Sequence, residues 1–567
     1  MVIFGVNIWD WSTLFLYLIG ITFIGVWSAR KVKDTADFFI GGRRFGKTFM
    51  VFFSFGAGTN GNQAVGVAAK TYTDGISGIW YQWLWLFATP FYWIIAPFFR
   101  RMRALTTGDF FEYRYGGYTD ALYTIVGALQ LTVNIGVMLK GSGAVIEAIS
   151  DGHIPQGFAI PLMTLLFVIY GIAGGLGAAI VTDFVQGILT VLLSFMLLPF
   201  ALEAVGGFTG LHESITDSAM FSLVAPGEIN IWHIVLFATN ALVGIVTQPH
   251  IMGVCAAGRN EMDGRVGFAG GNLLKRFCTV AWMLTGLCAI VMCENLTGSD
   301  VDLVYGQMAR DLLPDILPGL VGVFLAALLA SVMSSCDAFM VSSSGLFTQN
   351  LYRRYIVRRR GDRHYVLVGR VISVCIVGLS LFFAYMFEDV VAGLEAFWKI
   401  AAMMGPAIWI GLFWRRANAA GAWAGTLGAF AVWIVTSQAW FHEFAVRSLP
   451  EFMIWDGAFR TWCQMACYLT TGFGLCILVS LLTPRMPKAK LDRFFDCLRT
   501  PIGENEPHLE PFTLPEGVVP PEPKKLINHP DFEIPFPTMA GILGFAFFWL
   551  MVVLMIAFVY WMATWGA

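Results

Sequence analysis

The stretch SFGAGTNGNQ, residues 54–63, sits inside an apolar run at 47–70. That run is long enough to cross a bilayer core, which takes about 20 residues. Gly56, Gly58 and Gly61 stand with Thr59, Asn60 and Asn62 where a plain spanning helix carries Leu or Val. Lipid offers no hydrogen bonds, so backbone freed by such a break must face protein or a water-filled cavity. A second run has the same character: TNALVGIVTQPH, residues 239–250, with Gly244 mid-span and Pro249 below it. Interrupted segments at corresponding places in two halves of a chain point to the binding site of a transporter. Packing through small residues accounts for the glycines but not for Ser54, Thr59, Asn60, Asn62 and Gln63.

The rest of the chain agrees with a membrane setting. Of its 567 residues, 57% are hydrophobic and only 13% charged, with a mean hydropathy of +0.68; soluble domains carry about 25% charged residues. The reading is an all-α polytopic membrane protein of about fourteen spanning helices, at 11–29, 47–70, 77–98, 119–150, 155–172, 177–204, 231–254, 268–294, 317–347, 364–387, 394–414, 418–440, 460–483 and 537–562. The absence of period-two alternation excludes a β-barrel reading. The breaks fall in the second and seventh runs and so open two five-helix repeats, about 47–204 and 231–414. Basic residues alternate with the loops: Arg30, Lys31, Lys33, Arg43, Arg44 and Lys47 after the first run, Arg100, Arg101, Arg103 and Arg114 after the third, and an arginine cluster at 353–363 after the ninth. Roughly 27 of the 36 basic residues fall on one side, which places both termini outside the cytoplasm of a cell membrane.

Three regions follow: a thirteen-helix transporter body over 1–483, a Pro-, Glu- and Lys-rich stretch at 484–536 that reads as a cytoplasmic linker, and a final spanning helix within 537–567. Asp10 before the first run, with no small-residue cleavage site after it, argues against a removable signal. The ten cysteines are scattered and show no metal-binding spacing. A net charge of −2 gives no indication of a nucleic-acid partner. Asn295-Leu-Thr matches a glycosylation sequon in an outer loop. The sequence shows no nucleophile–base pair or metal cluster, so an enzyme is not expected.

With FFIGGRRFGK (38–47), TTGDFFEYRYG (106–116), GGLGAAIVTDFVQG (174–187), QPHIMGVCAAGR (248–259) and ASVMSSCDAFMVSSSGLFTQNLY (330–352), the chain resembles the sodium:solute symporter family over about residues 10–440. The resemblance implies a LeuT-type 5+5 inverted repeat, alternating access, and solute uptake coupled to a sodium gradient. Ser331, Ser334 and Ser335 share one face of the ninth helix by their i, i+3, i+4 spacing. Sodium is a hard cation that takes oxygen ligands. Hydroxyls here, with freed carbonyls at Gly56 and Thr59, suit it, and the serines match the family's sodium motif. Serines that merely bond back to their own helix are the structural alternative. Asp183 and Asp337 are intramembrane carboxylates, costly and functional by default. The family's TD motif links Asp183 to a second cation or to cation exit. Sodium or proton binding there competes with a hydrated inner vestibule and with pairing to Lys275 or Arg276.

Gln63, Gln82, Asn134, Asn240 and Lys275 match or lie near positions that bind substrate in the family's sugar symporters. Amides donate and accept, which suits a neutral hydroxylated or zwitterionic ligand. Those symporters close the site with a bulky aromatic pair where this chain has Val243 and Gly244, so a sugar would lose its stacking surface there. Lys70 and Lys399 are expected to snorkel to the outer interface, and Lys140 lies deeper. The expected partners are sodium, the bilayer and a small polar solute. Sugar or polyol competes with amino acid, carboxylate or quaternary amine, and a sensor or channel on the same fold is the rival to a coupled symporter.

Overall fold

The computed structural model describes residues 1–29, 43, 45–225, 228–293, 296–503, 506 and 510–566. Arg30, Lys31, Lys33 and Arg44, most of the 38–47 motif, and the Asn295 sequon lie outside the described residues. Helices dominate: α1 (Ile8–Ala29), α2 (Lys47–Gly58), α3 (Gly61–Asp74), α4 (Thr89–Arg101), α5 (Thr107–Arg114), α6 (Gly117–Ile149), α7 (Gln156–Met196), α8 (Ile231–Ile245), α9 (His250–Ala256), α10 (Glu261–Met292), α11 (Leu320–Gly345), α12 (Asp362–Met386), α13 (Val390–Met403), α14 (Gly405–Phe413), α15 (Ala419–Thr436), α16 (Thr461–Leu482), α17 (Lys488–Arg499) and α18 (Met539–Ala563). Two short hairpins, Val2–Ile3 with Val6–Asn7 and Ile454–Trp455 with Ala458–Phe459, are the named strand pairs.

Among the described residues, nine helices are long and apolar enough to cross a membrane, and ten if the bent pair α8–α9 counts as one span. The difference from about fourteen has physical causes. A broken span splits into halves too short to qualify alone, as α2 and α3 do. The third run is not one helix: Trp80–Trp83 and α4 are separated by a turn, and Pro90, which has no backbone N–H to donate, opens α4. The runs at 155–172 and 177–204 are joined in the single helix α7 up to Met196, and the membrane-length apolar stretch Ile180–Ala204 runs from α7 into a short helix at Leu198–Ala204.

Helix burial sorts the bundle. In the span Leu320–Ile356 the apolar window is 89% buried, against 22% in Met539–Ala563. α11 is therefore central, and α18 presents most of its apolar surface outward, as a lipid-facing helix should. The broken pair α2–α3 packs against α6, α7, α10 and α11. Small residues allow the closest of these approaches. A Cβ on Gly271 of α10 would lie 2.5 Å from the Val51 carbonyl oxygen and 2.8 Å from Ser54 Cβ.

The 484–536 stretch, expected as a linker, is packed on the body. Phe494 of α17 stacks on Phe512 at 4.8 Å between ring centroids and meets Phe110 of α5 at 5.6 Å. Arg103 pairs with Glu506 at 2.7 Å with both side chains buried, and Arg415 and Lys525 both pair with Glu533. Lys70, expected to snorkel, pairs with Glu228 and Asp74 instead, and Lys399 pairs with Glu395 one turn back.

Candidate functional site

The first break is two residues long. Thr59 (φ −128°, ψ 120°) and Asn60 (φ −146°, ψ 163°) are extended between α2 and α3. The last carbonyls of α2 thus lose their helical partners, and no side-chain cap opens α3. Partners arrive from elsewhere in the chain, as buried backbone requires. Ser335 Oγ of α11 donates to the Gly56 carbonyl at 2.8 Å and lies 3.4 Å from the Thr59 carbonyl. Gln63 Nε2 donates to the Gly58 carbonyl at 3.1 Å, and Lys275 Nζ donates to the same oxygen at 2.5 Å. Ser331 gives its hydroxyl to its own helix, at the Leu328 carbonyl, and its Oγ would lie 3.4 Å from a Cβ on Gly61. Thus Gly56, Thr59, Ser331, Ser334 and Ser335, expected together from separate segments, stand around one break.

The second break spans residues 246–249, and α8 and α9 are bent by 70° across it. Pro249 removes a backbone donor there and disfavours helical geometry at Gln248. Side chains again meet the freed groups. Tyr123 OH donates to the Thr247 carbonyl at 2.6 Å, Thr247 Oγ1 donates to the Gly244 and Ala401 carbonyls, and Trp409 Nε1 donates to the Leu242 carbonyl at 3.1 Å.

Asp183 joins the first break. A Cβ on Gly56 would lie 2.7 Å from Ser334 Oγ and 3.6 Å from both the Cβ and the carbonyl oxygen of Asp183. Asp183 is fully buried and its carboxylate lies beside the Ser334 hydroxyl. Neither carboxylate oxygen, nor Ser334 Oγ, makes a hydrogen bond of standard geometry among the described residues. Hydroxyl, carboxylate and carbonyl oxygens around a cradle that a single Cβ would fill are the donor set a hard monovalent cation takes. Asp337, also buried, lies with Asp183 in electrostatic reach of Tyr17 of α1, whose hydroxyl accepts from Gln186 Nε2 at 3.2 Å.

Beside this break lies a cavity with about 40 Å³ of free volume. Gln63, Asn134 and Lys275, three of the expected substrate positions, line it. Gln82 and Asn240 do not. The Gln82 carbonyl accepts from Arg276 Nη1 at 2.9 Å. Asn240 is spent on packing: its Nδ2 donates to the Trp398 carbonyl at 3.2 Å, and its Oδ1 accepts from Tyr468 OH at 2.6 Å. Lys140 is also absent from the lining; its charge acts on Asp302. Six polar lining residues were not singled out as substrate positions: Ser54, Tyr92, Gln248, His250, Asn272 and Arg276. Residues Val243–Gly244 offer no ring, yet Trp85, Phe339, Phe397 and Trp398 wall the cavity from other elements.

The sodium:solute symporter family model matches residues 38–428, well over half of the chain. The chain belongs to the sodium:solute symporter family. It is 27% identical to the osmoregulated proline transporter OpuE of Bacillus subtilis (strain 168), over 75% of this chain and 89% of that protein. It is 25% identical to sodium/glucose cotransporter 2 of Rattus norvegicus, over 87% and 81% respectively. A solved structure of a Na+-coupled sialic acid symporter, substrate-bound and outward-open, superposes with a TM-score of 0.69 at 17% identity, covering 85% of this chain and 99% of the other. The fold is thus the LeuT-type inverted repeat, and the two broken helices are its paired discontinuous segments. As a member of this family of transporters, the chain is a multi-pass membrane symporter whose coupling ion is sodium.

Proposed function

We propose that sodium is held at the first break by the Gly56 and Thr59 carbonyls and the Ser334 and Ser335 hydroxyls, on the α11 turn that begins at Ser331. The observation that carries this is Ser335 Oγ reaching both freed carbonyls across the break. A cation there ties α2, in one repeat, to α11, in the other. It biases the equilibrium between outward- and inward-facing states by its differential affinity for them. Asp183, with Asp337 nearby, holds a second cation, sodium or proton. This is supported by the two buried carboxylate oxygens lacking conventional partners beside Ser334. A small polar organic solute occupies the cavity against Gln63, Asn134 and Lys275, which fits the proline and glucose named for relatives. Gln82 and Asn240 position Arg276 and Trp398 behind it.

The body covers 1–483, with repeats at about 47–204 and 231–414 flanked by extra helices; 484–536 is a cytoplasmic segment and 537–567 carries the last span. Both termini face away from the cytoplasm, a reading supported by the one-sided basic residues.

The sodium reading is tested on purified protein by thermal stability in sodium chloride against potassium chloride at equal ionic strength. A ligand of the native state stabilises by mass action, so the wild type gains Tm with sodium. The double variant Ser334→Ala, Ser335→Ala loses that gain. A double variant with an unchanged sodium response would overturn the site.

A further inference from the structure

The cavity lining contains two adjacent cationic side chains, Lys275 and Arg276, and no Asp or Glu. Both residues are buried, Arg276 completely. Their recorded partners are neutral. Lys275 Nζ donates to the Gly58 carbonyl at 2.5 Å, where the negative end of the α2 dipole favours a cation. Arg276 donates to the Gln82 carbonyl at 2.9 Å and lies 3.4 Å from Asn272 Oδ1. Arg276 keeps its charge when buried, and a buried guanidinium whose hydrogen-bond partners are all neutral calls for an anion. Arg276 Nε has no partner among the described residues, and neither has Gln248 Nε2, so donors remain unspent on the lining. Unspent acceptors line it too: Gln63 Oε1 and Asn134 Oδ1.

We infer that the transported solute is a small hydroxylated monocarboxylate, its carboxylate bound by Lys275 and Arg276 and its hydroxyls donating to Gln63 and Asn134. This narrows the proposed function and rests on the cavity being the solute site. Size agrees. About 40 Å³ of free volume holds about three waters, whose share of liquid volume is about 90 Å³, the scale of a three-carbon hydroxy acid. A zwitterion would set an ammonium among fixed cations with no acid on the lining to receive it. A neutral polyol would leave the Arg276 guanidinium uncompensated.

The probes are sodium L-lactate and sodium D-glycerate, compared with lactamide, glycerol, L-proline and glucose, each added to purified full-length protein at constant sodium and read as Tm. Lactate or glycerate is expected to stabilise in sodium and to do so weakly in potassium, while lactamide and glycerol give no shift. Arg276→Gln is expected to weaken the carboxylate response at least tenfold while keeping the stabilisation by sodium itself, which shows that the variant is folded. Lys275→Met is a second variant with the same expectation. A response to lactamide, glycerol, proline or glucose that equals or exceeds that to the carboxylates overturns the inference. So does the absence of any shift with lactate and glycerate. If sodium still stabilises through Ser334 and Ser335 in either case, only the anion inference falls; if sodium has no effect on the wild type, the ion-site reading falls instead.

Discussion

Gly56 shows how one missing side chain shapes the proposed ion site. Its absent Cβ leaves room for Ser334 Oγ and Asp183 to approach α2 where the helix ends. Ala is a better helix former by about 1 kcal/mol, so Gly56→Ala should leave α2 helical while pushing Ser334 aside. We expect sodium's half-maximal stabilising concentration to rise roughly tenfold, equivalent to about 1.4 kcal/mol. An unchanged midpoint in a sodium-titrated Tm series would count against the cradle. The glycines and serines were legible in the sequence because small and polar residues stand out in an apolar run. Asp183 was legible as a buried acid, but not as a neighbour of Gly56, since counting residues from a helix end gives depth and not lateral position. Asn240 stands off the cavity lining, held by contacts that the sequence does not show. Its partner Tyr468 lies 228 residues away, and an amide spent on such a contact looks in sequence like one aimed at a ligand. Arg276 passed unnoticed as a solute contact because Lys275, one residue earlier and one residue off the family's lysine position, drew the reading instead.

At the scale of elements, two of the family motifs meet at Asn350. Thr106 Oγ1 of the 106–116 motif donates to Asn350 Oδ1 at 2.7 Å, and Asn350 Nδ2 donates to Asp120 at 3.1 Å and to Asp109 at 3.3 Å. Asp109 also caps α5, accepting from the Leu105 and Thr106 amides at 3.0 and 3.1 Å. Burial pushes its carboxyl up to about 6, against the lowering effect of those two amides. With the folded value raised, the native state binds more protons than the unfolded chain between about pH 4 and 6. Stability contributed by this group is therefore greatest at about pH 4 and declines as pH rises to 6. Asp109→Asn keeps an acceptor for the cap and removes the proton. Its Tm should be flatter than the wild type's over that range; parallel curves would contradict the assignment. The motifs were visible as strings, but their meeting at Asn350 follows only from the path of the chain between α5, α6 and the end of α11.

The whole molecule is a pair of repeats whose discontinuous helices face one another across a small cavity, with the 484–536 segment fastened to the body through Glu506, Phe512 and Glu533. That fastening was not legible: a Pro-rich stretch reads as a tether until Phe494 and Phe512 find each other and Arg103 finds a buried carboxylate. The repeat architecture was legible, because two breaks at matched positions constrain the fold more than any single helix does. The family match and the superposed symporter fold make sodium the coupling ion; the claim particular to this chain is where sodium sits. Equilibrium binding of radiosodium to the purified, full-length protein tests it directly. The wild type should bind sodium saturably and the Ser334→Ala, Ser335→Ala double variant should lose a bound ion, while an Asn240→Ala control that disturbs only packing keeps it. Equal sodium occupancy in the wild type and the double variant would contradict the account.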